Sequence, residues 1–228
     1  MKSFTRLILT TFALLSLTLS AAWAQVSVTA SGGTTSGSYS TISAAFAAIN
    51  AGTHTGSIQI AITADVTEPA AVTALEGSGV GSASYSAVSI QPVGNRIVSS
   101  AATPTTNRGL VELKAADNVT IDGDDPLTPG VRNLTFQMAT STNITAVIRI
   151  SSNSTSGTAG ADNNTVKNCI IIGSRPTGTS TTMSYGINAS NYSTSSMTTG
   201  AYGNLNTTID NNEFRRCHRG IQPVGDRG

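Results

Sequence analysis

One phrase recurs along the chain: "NVTIDG" at 118–123, "NNTVKNCIIIG" at 163–173 and "NTTIDNNEF" at 206–214. Each copy sets an Asn, a Thr, one aliphatic residue and a polar pair, then runs on through Ser, Thr and Gly. Self-similarity of this kind marks one supersecondary unit used repeatedly. The sequence around the phrase reads as strands. "SIQIAIT" puts Ile58, Ile60 and Ile62 on one face, and "AVSIQPV", "LVELK", "NLTFQM" and "AVIRIS" alternate in the same way. Short alternating segments separated by turn residues indicate an all-β protein.

Spacing narrows that class. Leu113, Ile150 and Ile187 each end a small apolar segment at equal separations, with Ile221 following after a slightly shorter one. Ile121, Val166 and Ile209 form a second series with nearly equal steps. A sandwich or barrel accounts for the strands but not for two interleaved series. A right-handed parallel β-helix over residues 25–228 accounts for both, because its coils stack about 4.8 Å apart and bring like positions onto like positions. Asn at the corners tolerates left-handed backbone, and its side chain can join the Asn one rung away. One helix is expected, "STISAAFAAINAG". Ser40 or Thr41 caps it, Ile42, Ala45, Phe46 and Ile49 form its apolar stripe, and Gly52 closes it. It is expected to lie over Thr41–Ala51 across the N-terminal mouth, with Ile42, Phe46 and Ile49 facing in.

The chain begins with Lys2 and Arg6, a short apolar stretch from Leu7 to Leu19, and "AWA" at 22–24. This is the anatomy of a secretory leader, so residues 1–24 are expected to be removed and the protein to be secreted or surface-exposed. No later apolar run is long enough for a membrane span. Formal net charge is +1 and charged residues make up 11%, against about 25% in ordinary globular chains. Nucleic acid and anionic membranes call for a basic patch and are poor partners for such a chain. Cys169 and Cys217 form no disulfide framework, and their state, two thiols or one bridge, stays open.

The series "ADNVTIDG…RNLTF…AVIRISSN…NNTVKNCIIIGS", preceded by "YSTISAAFAAINAGTHTGSIQIAI", resembles secreted bacterial right-handed β-helix proteins of the pectin-lyase-like superfamily. The resemblance covers nearly all of residues 25–228. It implies a surface or secreted protein that continues into further coils or modules, and the end of the sequence at "QPVGDRG" reads as an interruption in mid-coil. It leaves activity open, since the fold carries lyases, hydrolases, adhesins and stalks alike.

Three places could carry chemistry. If Ile121, Val166 and Ile209 point inward, then Asp122, Lys167 and Asp210 point outward on successive rungs. Lyases of this fold use acidic residues to hold calcium and a basic residue as proton acceptor, while a compensated charge ladder uses the same residues for nothing but their own pairing. Glu112 and Arg149 are expected to be outward neighbours too. "DGDD" offers Asp122, Asp124 and Asp125 as oxygen ligands for calcium, the one cofactor the sequence suggests, or as an Asp-rich turn. "RRCHRG" supplies Arg215 and His218, a pair suited to neutralising and deprotonating an acidic sugar, or to a solvated corner. The expected function is a non-catalytic adhesin, stalk or carbohydrate-contacting scaffold meeting polysaccharide or cell-surface glycan. The alternative is a polysaccharide lyase or glycoside hydrolase acting on acidic polysaccharide. Aromatic residues are 5%, few for sugar-stacking platforms, which favours the first.

Overall fold

A computed structural model describes residues 24–102, 104–139, 143–153, 159–174, 183–191 and 204–224. All of the expected leader but Ala24 lies outside these residues, as do parts of the segments 151–162 and 191–205 and residues 225–228. Half of the described chain is strand, and apart from one short helix its regular structure is β. It opens with β1 (Val26–Gly33), β2 (Ser36–Tyr39) and the one helix, α1 (Ile42–Asn50). Strands then come in threes: β3 (His54–Ile62), β4 (Val66–Glu68) and β5 (Leu75–Glu76), followed by β6 (Tyr85–Pro92), β7 (Arg96–Ser100) and β8 (Arg108–Lys114). The next three are β9 (Val119–Asp122), β10 (Leu134–Gln137) and β11 (Thr145–Ser151). After them come β12 (Thr165–Lys167), β13 (Cys169–Ile172) and β14 (Ser184–Ser190), then β15 (Thr208–Asp210), β16 (Glu213–Arg215) and β17 (Arg219–Pro223).

Each trio gives one strand to each of three sheets, in the orders β15-β12-β9-β6-β3-β1-β2, β16-β13-β10-β7-β4 and β17-β14-β11-β8-β5. Every pairing among the strands from β3 onward is parallel. This all-β, mostly parallel arrangement is compatible with the β-helix expected from the sequence. The entry to the first sheet differs. β1 runs antiparallel to both β2 and β3, because the Gly/Ser/Thr segment after β1 makes a tight turn that brings the chain straight back as a hairpin.

Stacked aliphatic and aromatic residues fill one core. Ile60, Ile90, Ile121, Val166 and Ile209 align on the first sheet, and Val98, Phe136, Ile171 and Phe214 on the second. The equal spacing of Leu113, Ile150 and Ile187 holds for one step only. Leu113 aligns with Ile150, but Ile187 aligns with Ile148, and Ala189 takes the place beside Ile150. A slip of two residues keeps the same face inward, so the aliphatic pattern alone cannot fix it.

Helix α1 forms as expected. Thr41 is its N-cap and accepts the Ala44 amide at 3.0 Å, and Gly52 follows the last turn with φ 74°. Ile42, Phe46 and Ile49 are buried, and the helix packs against β1 to β5 at the start of the sheets. Its first turn contains no acidic residue. Glu68 on β4 supplies the carboxylate instead, accepting the amides of Ile42 at 2.6 Å and Ser43 at 3.1 Å.

Candidate functional site

The outward column on the first sheet has the expected register: Lys167 aligns with Asp122 on one side and Asp210 on the other. Lys167 Nζ lies 3.1 Å from Asp122 Oδ2. Asp122 Oδ1 accepts from the Asn168 side chain at 2.8 Å and from the Asp124 amide at 3.1 Å. Asp210 shares the register but makes no ion pair with Lys167, so the column is one closed pair with a separate carboxylate beside it.

The three aspartates of the "DGDD" turn face different partners. Asp124 accepts the Gly130 amide with both oxygens, at 3.0 and 2.9 Å, and so closes its own loop. Asp125 is buried and accepts the amides of Gly94 at 2.8 Å and Leu127 at 3.0 Å. Among the described residues no group of three or more His, Cys, Asp or Glu side chains converges as a metal site. Gly123 sits inside this turn because a Cβ there would stand 2.1 Å from the Asn168 carbonyl on the next rung.

In "RRCHRG", the Arg215 guanidinium meets Glu213 at 2.6 Å and holds that carboxyl below its usual range. The His218 amide donates to the Ser184 carbonyl at 2.7 Å. Both Arg215 and His218 are exposed. They sit beside the second and third sheets, while Lys167 and Asp122 belong to the first. Among the described residues no ion pair joins the two groups. Cys169 and Cys217 are free thiols, and burial raises the pKa of each.

Glu112 and Arg149 correct the sequence expectation. They are register neighbours on the third sheet, as expected, but they are not on the surface: their side chains are 1% and 0% exposed. Glu112 takes Arg108 at 2.6 Å and the Gly109 amide at 2.7 Å, and lies 3.8 Å from Arg149. Arg149 donates to the carbonyls of Asn107 and Asn191. A second small apolar cluster, Ala146 and Tyr185 with Ile144 and Met183, lies outside the main core. β11 is accordingly buried along its whole length, on both faces.

Two surface depressions complete the candidates, and neither was visible in the sequence. One, of about 380 Å³, lies on the outer face of the first sheet where β1 and β3 both break register, lined by Thr29, Ser31, Ser57, Gln59 and Ser89. Among the described residues its lining, completed by Ala30 and Ile58, carries hydroxyls and one side-chain amide and no charge. The other, of about 300 Å³, lies on the outer face of the second sheet and brings together Arg96, Arg132, Asp65 and the stacked Ile97, Thr135 and Ile170. Residues so far apart in the chain meet only because successive strands of a sheet come from successive trios.

No family model, curated protein or solved structure matches this chain. The likeness to pectin-lyase-like proteins therefore rests on the residue series alone, while the parallel sheets are compatible with a β-helix.

Proposed function

We propose that this is an exported, non-catalytic right-handed parallel β-helix of the pectin-lyase-like kind, serving as a surface scaffold that contacts glycan. One observation carries the reading: the uncharged depression on the outer face of the first sheet, beside the register breaks of β1 and β3, is walled by Thr29, Ser31, Ser57, Gln59 and Ser89. Hydroxyl and amide groups exchange hydrogen bonds with sugar hydroxyls without the desolvation cost of a charge. The charged candidates support the same reading, since Lys167 is engaged by Asp122, Arg215 by Glu213, and Asp124 and Asp125 by backbone amides.

The test has two arms. Titration with neutral cello-, xylo- and chito-oligosaccharides should show binding that weakens in Gln59→Ala and Ser89→Ala. Pectate, alginate and glycosaminoglycan, with and without calcium, should yield neither unsaturated products nor new reducing ends. Turnover that disappears in a folded Lys167→Ala variant would replace this reading with the lyase one.

A further inference from the structure

The cleft on the second sheet has a different chemistry from the hydroxyl groove. Arg96 donates one Nη to the Asn95 carbonyl at 2.7 Å, and its Nε is buried without an acceptor. Among the described residues no carboxylate forms an ion pair with it. Arg132 is fixed by Asn211, donating to its carbonyl at 2.8 Å and its side-chain oxygen at 2.6 Å, with Glu213 only loosely placed at 4.0 Å. Asp65, the one carboxylate among the described lining residues, already accepts the Ile97 amide at 2.9 Å. Two guanidinium groups against one carboxylate leave the lining with a positive balance.

The floor is aliphatic. Ile97, Thr135 and Ile170 align on neighbouring strands, and Ile97 is 42% exposed. Three strands at about 4.8 Å spacing make a strip roughly 10 Å long. Among the described residues no aromatic ring lines it to stack on a sugar. The Asn95 side-chain oxygen accepts from Asn133 at 2.7 Å, which leaves the Asn95 amide hydrogens for a ligand carbonyl.

We propose that this cleft binds an extended acidic peptide, with a Glu or Asp carboxylate on Arg96 and Arg132, an aliphatic side chain on Ile97 and Ile170, and a main-chain carbonyl on Asn95. Planar guanidinium groups suit carboxylates, which they can engage through paired hydrogen bonds. The aliphatic floor and side-chain amide suit a peptide better than a uronic acid chain. The site lies on a different sheet from the proposed glycan groove and does not depend on it.

Fluorescence anisotropy with a labelled peptide of alternating Val and Glu tests this. The expected result is saturable binding, weakened about tenfold or more when Gln replaces Glu in the peptide, as loss of a charge-assisted hydrogen bond requires. Arg96→Gln and Ile97→Ser should each weaken binding in protein whose circular dichroism and melting are unchanged, whereas Gln59→Ala should not. Equal binding of the Gln peptide, no effect of Arg96→Gln, or preference for oligogalacturonate over the peptide would overturn the proposal.

Discussion

Asn163 and Asn168 bracket β12, and both hold φ at 57°. Asn118, Asn206 and Asn211 on neighbouring rungs are left-handed too, with φ of 58°, 55° and 48°, and among the described residues six of the eight non-glycine positions with positive φ are asparagines. Their side chains form the rungs of a ladder: Asn206 donates to Asn163 at 3.0 Å, and Asn211 to Asn168 at 2.7 Å. Asn168 in turn donates to Asp122. Replacing it tests the two roles separately. Asn168→Ala loses the ladder bonds and leaves in left-handed backbone a side chain without the polar group that lets Asn tolerate it, at a combined cost of about 2–3 kcal/mol. Asn168→Gly loses the bonds but relieves the backbone, so it should recover about 1 kcal/mol of that loss. Denaturant unfolding of the two variants would measure the difference; equal losses would mean the left-handed corner is not what selects Asn. This much was legible from the sequence, because corner residues answer to local geometry. The burial of Glu112 and Arg149 was not. A one-strand pattern shows which side chains point away from the core, but it cannot show that Asn107, Asn191 and a second apolar cluster cover them.

At the scale of the element, α1 could be read from its apolar stripe and its Thr41 cap, while the carboxylate at its N-terminus could not. Glu68 belongs to a strand beyond β3, and only the packing of α1 across the sheets brings it to the Ile42 and Ser43 amides. Burial pushes the Glu68 carboxyl up from its usual 4.5 to about 7, against the downward pull of those two amides. The folded state therefore holds a proton that the unfolded chain releases. The resulting stability is fully present below about pH 4.5 and is lost as pH rises through about 7. A difference of this size corresponds to roughly 3 kcal/mol. Glu68→Gln should flatten the pH dependence of unfolding across that window while keeping an oxygen acceptor for one amide. Chemical denaturation from about pH 4 to about pH 8.5 would show it, and an unchanged slope in Glu68→Gln would assign the dependence to another group.

At the scale of the whole molecule, the two ends of the sheets differ. α1 and the β1–β2 hairpin cover the first, with Ile42, Phe46 and Ile49 buried. At the other end β15, β16 and β17 are the last strands of their sheets, and among the described residues nothing pairs with their outer edges. The core thins there. Val166, Ile171 and Ile187 are at most 1% exposed, whereas their register partners Ile209 and Phe214 are only partly buried and Ile221 is 43% exposed. Three strand edges with unpaired amides and carbonyls, beside half-covered aliphatic and aromatic side chains, form a template for pairing with another chain. Residues 25–228 prepared alone should therefore associate through this end as concentration rises. Light scattering coupled to size exclusion over a roughly hundredfold dilution would detect it. Ile221→Lys should shift the population toward monomer with the melting temperature little changed, since a charge on an edge strand opposes pairing without disturbing the buried rungs behind it. A monomer at every concentration would mean that the edge is covered by residues of this chain outside those described.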